Sequence, residues 1–234
     1  MKNMKTAGII GGLGPETTSK FYLEIIFGCY QKNKESRPPI LIWNVPSNYR
    51  IEETLLRKST GEEKYVPHLI DAAERLEKGG ADFLVMPCNT LHIFIEEIRR
   101  SVRIPVLSIV EEATKFLKNE KVSKVGILAT STSLKWGLYK TALEKEGIEQ
   151  VVPDETDQEK IGEIINRIVL NLYKDRDKSD LLEIIDKFER KDVENVILAC
   201  TDLQLLVSPS HHLYPRIYDT MKILADATVR KILN

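Results

Sequence analysis

Two cysteine-containing segments carry the residues of this 234-residue chain whose types could do chemistry. They are 86–92, Met-Pro-Cys-Asn-Thr-Leu-His, and 198–203, Leu-Ala-Cys-Thr-Asp-Leu, and each follows an apolar run typical of a buried strand. In a core, the polar side chains beside each cysteine would need hydrogen-bond partners, so the segments favour a binding site over simple packing. Two thiols facing each other across a cleft, Cys88 and Cys200, suit reversible proton transfer at one carbon.

The junction between a strand and a helix predicts a reactive thiol at both positions. Backbone amides and the dipole at a helix N-terminus favour negative charge, so we expect thiol pKa values below the ordinary value of about 8.5. We also expect His92 or Asp202 to orient or tune its neighbouring cysteine. The third cysteine, Cys29, lies in an apolar helical run and is predicted to be a core residue.

The elements around these segments occur twice. Alternating apolar strands and helices predict a parallel sheet in each half of the chain. Gly-Ile-Ile at 8–10 matches Gly-Ile-Leu at 126–128, an offset of 118 residues, and Cys88 and Cys200 are 112 residues apart. Two similar offsets indicate a duplicated α/β unit. Ligands of such sheets bind beyond the carboxyl ends of the strands, where both cysteines are expected.

Periodicity and breaker residues place the individual elements and domains. The predicted helices and strands are helices 16–30, 66–79, 90–102 and 220–233, and strands 6–10, 39–43, 82–85, 105–109 and 124–130. We expect the last helix to pack back onto the first half. The predicted domains are therefore 1–103 together with 210–234, and 104–209.

Two further turns lie at predicted strand ends. The turn 11–15, Gly-Gly-Leu-Gly-Pro, lacks the third glycine of the dinucleotide fingerprint, and Pro15 removes an amide that a phosphate would use. It suits close approach of the main chain to a small anion. Its counterpart at 129–133, Ala-Thr-Ser-Thr-Ser, offers hydroxyls for a carboxylate. Helix capping is the simpler alternative for either turn.

Composition limits the class of protein. The net charge is −1 with no basic stripe, which argues against a nucleic-acid partner, and no apolar run is long enough for a membrane span. Three cysteines without disulfide spacing, and an N-terminus that enters a strand at once, predict a cytoplasmic location. Cys88 and His92 alone are too few ligands for a metal, and His211-His212 is predicted to be a solvated loop.

The segments together resemble the aspartate/glutamate racemase family, which includes cofactor-independent aspartate racemases. The matching strings are Gly-Gly-Leu-Gly-Pro at 11–15, Met-Pro-Cys-Asn-Thr-Leu-His at 86–92, Leu-Ala-Thr-Ser-Thr at 128–132 and Cys-Thr-Asp at 200–202. The resemblance implies two similar doubly wound parallel-sheet domains related by pseudo-twofold symmetry, with the active site in the cleft between them. It also implies a homodimer, no cofactor, and Cys88 and Cys200 as the catalytic pair.

Racemisation without a pyridoxal cofactor needs oriented amides and hydroxyls to meet the developing charge. The predicted substrate-binding residues at the turns and strand ends are Gly12, Leu13, Asn89, Thr90, Thr130, Ser131, Thr132 and Thr201. A dicarboxylate also needs a cation for its distal group. The resemblance implies an arginine near Arg50 and a lysine near Lys160 for this purpose, and hence aspartate or glutamate as substrate.

Other functions remain open at this point. If neither Arg50 nor Lys160 faces the cleft, a racemase of broader or neutral amino-acid specificity follows. A hydantoin racemase or a maleate-type isomerase would also use two thiols. A non-catalytic two-domain protein that binds a small ligand is the alternative from another class, and inert thiols would favour it.

Overall fold

The computed structural model describes residues 4–46, 60–208 and 215–234. Within these residues the chain forms two parallel sheets. The first sheet contains β1 (Ala7–Gly11), β2 (Ile40–Asn44) and β3 (Phe83–Val85) in the order β2-β1-β3. The second contains β4 (Lys124–Leu128), β5 (Glu149–Val151), β6 (Asn195–Leu198) and β7 (Arg216–Asp219) in the order β5-β4-β6-β7.

The two sheets repeat the same topology. Val106 forms an isolated parallel bridge with Leu84 of β3. It therefore occupies the position beside β3 that β7 occupies beside β6. In each half, the strands therefore lie across the sheet in the order second, first, third and fourth, counted along the chain. This arrangement confirms the predicted α/β fold with two similar parallel sheets.

Helices connect the strands in both halves. The α-helices are α1 (Pro15–Lys32), α2 (Val66–Lys78), α3 (Ile95–Ser101), α4 (Ile109–Asn119), α5 (Ser131–Lys135), α6 (Lys140–Lys145), α7 (Glu155–Val169), α8 (Asp175–Glu189) and α9 (Thr220–Leu233). Short 3-10 turns cover Glu62–Tyr65, Thr90–Phe94 and Leu203–Leu205. None of the helices in the described part of the chain has the length and apolarity needed to cross a membrane.

Two predicted elements differ from the structure. The predicted helix 90–102 divides into a 3-10 turn and α3. The predicted strand 105–109 shrinks to the bridge at Val106, because Ser108 caps α4 and Ile109 already belongs to that helix. The Ser108 side chain accepts a hydrogen bond from the Glu111 amide, the pattern of an N-cap, and this pairing is visible in the sequence.

The last helix lies against elements of the first half. Helix α9 packs on α1 and α4, and the approach to α1 is close, since a Cβ at Gly28 would lie 2.9 Å from Val229 Cγ2. The predicted domain boundaries stay a prediction. Val106, which lies in the second predicted domain, pairs with the first sheet, and β7, which lies in the first predicted domain, pairs with the second sheet.

Candidate active site

Both predicted catalytic cysteines line one cavity between the two sheets. Cys88 follows β3 and Cys200 follows β6, which are equivalent strands of the two halves. Both cysteines are buried, neither forms a disulfide, and the cavity they share has a volume of about 50 Å³. Cys29, in contrast, lies on α1 and is fully buried in the core, as predicted.

The two thiols influence each other electrostatically. The pKa of Cys200 lies well above its ordinary value, first because of burial and second because of the Asp202 carboxylate, and a charge on Cys88 raises it further. Two thiolates in this cavity therefore disfavour each other, so ionisation of one thiol opposes ionisation of the other.

The expectation of a lowered pKa is wrong for Cys200. The Asp202 amide does donate to the sulfur, which lowers its pKa, but desolvation and the nearby carboxylate outweigh that hydrogen bond. The helix after Cys200 is only the 3-10 turn Leu203–Leu205, so a helix macrodipole has no length over which to develop.

Asp202 connects Cys200 to the first half of the chain. The Cys200 thiol donates to Asp202 Oδ2 at 3.7 Å, and Thr17 Oγ1 donates to Asp202 Oδ1 at 2.8 Å. Burial raises the pKa of Asp202, and these two hydrogen bonds act in the opposite direction. Thr17 was not among the predicted site residues, although a hydroxyl in the first turn after Gly-Pro is a visible signal.

Asn89 bridges the strands that carry the two cysteines. Its Nδ2 donates to Thr220 Oγ1 at 3.0 Å, and its Oδ1 accepts from the Tyr139 hydroxyl at 2.5 Å. Thr220 in turn donates to the Leu198 carbonyl, at the end of β6 and two residues before Cys200. The Asn89 side chain is therefore held by contacts within the protein, and Asn89 also lines the cavity.

Hydroxyl groups meet at the cavity from both halves. Thr90 Oγ1 and Thr130 Oγ1 lie 3.0 Å apart, and both residues line the cavity. Thr130 also caps α5 by accepting from the Ser133 amide. Thr201 is buried and lines the same cavity, which gives three threonine hydroxyls beside the two thiols.

The other predicted binding residues divide into two groups. Leu13 lines the cavity. The residues outside the cavity lining are Gly12, Ser131, Thr132 and Lys160. Ser131 Oγ accepts from Gln158 on α7, and the Gly12 amide donates to Thr18 Oγ1 at 3.0 Å, so both groups have partners within the protein.

The two predicted cations have different outcomes. Lys160 lies on α7, where its Nζ is 2.9 Å from Asp180 Oδ1 on α8, and it is not brought to the cavity. The ion pair explains this placement, because it holds the ammonium group against the neighbouring helix. Arg50 and the loop residues His211-His212 lie outside the described residues.

His92 holds the main chain of Cys88. Its Nδ1 is 2.6 Å from the Cys88 carbonyl oxygen, and its Nε2 accepts from the Ile109 amide at 3.0 Å. A carbonyl only accepts and an amide only donates, so the proton is assigned to Nδ1 and the ring is neutral. Burial lowers the pKa of His92 to about 4. The ring thus orients the Cys88 backbone rather than exchanging a proton with its thiol.

Acid should destabilise the protein through His92. Its folded-state pKa of about 4 lies below the unfolded value near 6.5, so the unfolded chain binds the proton first. The contribution is complete above pH 6.5 and is lost as the pH falls through 4, and it amounts to at most about 3 kcal/mol. Urea unfolding at several pH values in this window measures it.

A matched pair of variants isolates this effect. The difference in unfolding free energy between pH 6.5 and pH 4 should shrink in His92→Gln and stay unchanged in His68→Gln, whose histidine lies half-buried on α2. Equal pH dependence of wild type and His92→Gln would contradict the assignment.

With this geometry established, comparison with known proteins identifies the family. The family model described as Asp/Glu/Hydantoin racemase matches residues 10–228. The chain belongs to this racemase family. The family and enzyme class predicted from the motifs are thereby confirmed, whereas the substrate is not decided by the match.

Individual relatives agree with the family match. The chain is 28% identical over 230 residues to the broad specificity amino-acid racemase RacX of Bacillus subtilis (strain 168), covering 97% of each protein. It is 28% identical over 187 residues to a glutamate racemase of Persephonella marina, covering 77% of this chain and 66% of that protein.

Solved structures show the same fold. An aspartate racemase homologue from Pyrococcus horikoshii OT3 superposes with a TM-score of 0.78 at 27% identity, covering 98% of this chain and 99% of the other. The aspartate racemase of Picrophilus torridus superposes with a TM-score of 0.81 at 24% identity, covering 97% and 94%. The two-sheet arrangement is therefore the racemase fold along nearly the whole chain.

Proposed function

We propose that the protein is a pyridoxal-independent amino-acid racemase that uses Cys88 and Cys200 as its two bases. The observation that carries the proposal is the placement of the two thiols, one from each half, in the same cavity at the ends of equivalent strands. The mutual effect of the thiol charges supports it, since a two-base reaction needs one thiolate and one thiol at the start.

The reaction moves one proton at a time. The thiolate takes the α-proton, so that an S–H bond forms as the Cα–H bond breaks and the electron pair passes into the substrate carboxylate. The opposite thiol then gives its proton to the other face of the α-carbon and becomes the thiolate. The roles of Cys88 and Cys200 are thereby exchanged, and the reverse direction uses the same groups.

The surroundings of the thiols match the charges of an amino acid. The hydroxyls of Thr90, Thr130 and Thr201 can donate to the carboxylate, whose negative charge grows in the transition state. Asp202 can face the α-ammonium group, which is a requirement that a neutral hydantoin does not have. An amino acid therefore fits the described cavity better than a hydantoin does.

Exchange of the α-proton tests this proposal directly. The purified protein is incubated in heavy water, without added cofactor, with the L- and D-forms of alanine, 2-aminobutyrate, aspartate and glutamate. Proton NMR follows the α-proton signal, and chiral chromatography follows the enantiomer. We expect exchange with inversion from both enantiomers of at least one of these amino acids.

The opposite result separates the alternatives. If folded protein with free thiols exchanges no amino acid, hydantoins are tested next, and exchange there would assign the second activity of the family. Thiols that resist alkylation with and without ligand would favour a binding protein. The preference for aspartate or glutamate stays a prediction, and Lys160 no longer supports it.

A further inference from the structure

The cavity beside the thiols has an apolar wall from helix α7. Ile165 and Val169 are four residues apart, so they share one face of the helix, and both line the cavity. Ile165 is buried in the hydrophobic cluster that contains Cys200. Neither residue was singled out by the sequence, because aliphatic residues at helical spacing are typical of any core-facing helix.

Apolar residues of the first half line the same cavity. Leu91 and Tyr65 belong to the hydrophobic cluster that contains Cys88, and Leu13 packs against that cluster. The cavity is therefore bounded by apolar side chains from both halves, beside the hydroxyls that suit a carboxylate. An aliphatic substrate side chain would gain about 25 cal/mol for each Å² buried there.

The charge of the cavity also favours an uncharged substrate side chain. Apart from a thiolate, the Asp202 carboxylate is the one charged group among the lining residues that the structure describes, and both groups are negative. Lys160 is held by Asp180 on the neighbouring helix. Among the described residues, a second substrate carboxylate would therefore meet Asp202, a thiolate and an apolar wall, and an ion buried in this way is strongly disfavoured.

The size of the cavity limits the length of the side chain. Its volume is about 50 Å³, whereas a single water needs about 10 to 15 Å³ by a comparable measure. A space of this size holds only a few waters, so it favours an amino acid with a short side chain over lysine or arginine.

We infer that the substrate is an amino acid with a short uncharged side chain, which packs against Ile165 and Val169. The inference rests on the proposed racemase function and specifies its substrate class. Alanine, serine and 2-aminobutyrate fit these limits, whereas aspartate and glutamate do not.

Rates of α-proton exchange over a panel of amino acids test the inference. In wild-type protein, we expect kcat/KM for alanine or 2-aminobutyrate to exceed that for aspartate, glutamate, lysine and arginine by at least about tenfold, the equivalent of about 1.4 kcal/mol. A wild-type enzyme that prefers aspartate or glutamate overturns the inference and leaves the racemase proposal intact. Exchange with no amino acid at all rejects the racemase proposal itself.

Two variants of the wall report on side-chain contact. Val169→Lys places a cation at the cavity and should raise the ratio of aspartate to alanine turnover by about tenfold. Ile165→Ala enlarges the cavity and should favour leucine over alanine relative to wild type.

Val152→Lys makes the same change as Val169→Lys at an exposed valine outside the cavity lining, and should leave the ranking unchanged. If the ranking of amino-acid substrates also stays unchanged in Val169→Lys and Ile165→Ala, the substrate side chain does not contact this wall.

Discussion

Cys88→Ala and Cys200→Ala should each lower racemisation by at least about 10³-fold, because one thiol cannot serve both faces of the α-carbon. Each variant keeps a single base, which can remove and return a proton on its own face. We therefore expect exchange in heavy water without inversion, from one enantiomer in Cys88→Ala and from the opposite enantiomer in Cys200→Ala. Chiral chromatography and proton NMR on the same samples measure both effects.

Cys29→Ala is the matched control for these variants. It removes a thiol of the same chain by the same substitution, but from the buried face of α1 and outside the cavity lining. Under conditions in which the variant is folded, its racemase activity should equal that of the wild type. Near-normal racemisation by either Cys88→Ala or Cys200→Ala would rule out the two-base mechanism.

Asp202→Asn should have the second large effect, on both rate and thiol reactivity. The carboxylate accepts the Cys200 proton at 3.7 Å, and after burial its charge is the largest cause of the raised pKa of Cys200. Loss of that charge should lower the pKa of Cys200, so that iodoacetamide alkylates it at lower pH than in wild type. Racemisation should fall about 10²-fold, because the thiol loses the acceptor that orients it.

Thr17→Val separates the charge of Asp202 from its orientation. Valine has nearly the same shape as threonine, and the Asp202 carboxylate is unchanged. The substitution removes only the Thr17 hydroxyl that donates to Asp202 Oδ1. We expect kcat to fall, with a smaller shift of Cys200 alkylation toward lower pH than in Asp202→Asn, because the variant keeps the carboxylate. If Asp202→Asn and Thr17→Val change the alkylation profile equally, the carboxylate charge does not control Cys200. Mass spectrometry of the Cys200 peptide gives the profile for both variants.

Several elements of this protein could be predicted from local sequence because local physics determines them. The apolar runs before Cys88 and Cys200 predict buried parallel strands, and both cysteines lie directly beyond strand ends. Ser108 and Glu111 likewise specify a helix start, although the apolar residues 105–109 suggested a strand. A one-residue bridge at Val106 is too short to be distinguished from a full strand by pattern alone.

The candidate site depended more strongly on contacts between distant residues. The sequence predicts Asn89 as a carboxylate ligand, but Tyr139 and Thr220, 50 and 131 residues away, also form hydrogen bonds with its side chain. Lys160 looked like a substrate cation, but α8 places Asp180 beside it. The partners of Asn89 and Lys160 can be recognised only once it is known which elements pack against each other.

By itself, the sequence determined the duplicated α/β fold, the racemase family and the two cysteines at strand ends, because strand periodicity and short motifs are encoded within a few neighbouring residues. Only the tertiary structure decided which groups surround the thiols. It brings Thr17 to Asp202 and raises the pKa of Cys200 by burial, and it places Ile165 at the cavity. These properties arise from desolvation and from contacts between the two halves, and both exist only once the chain is packed.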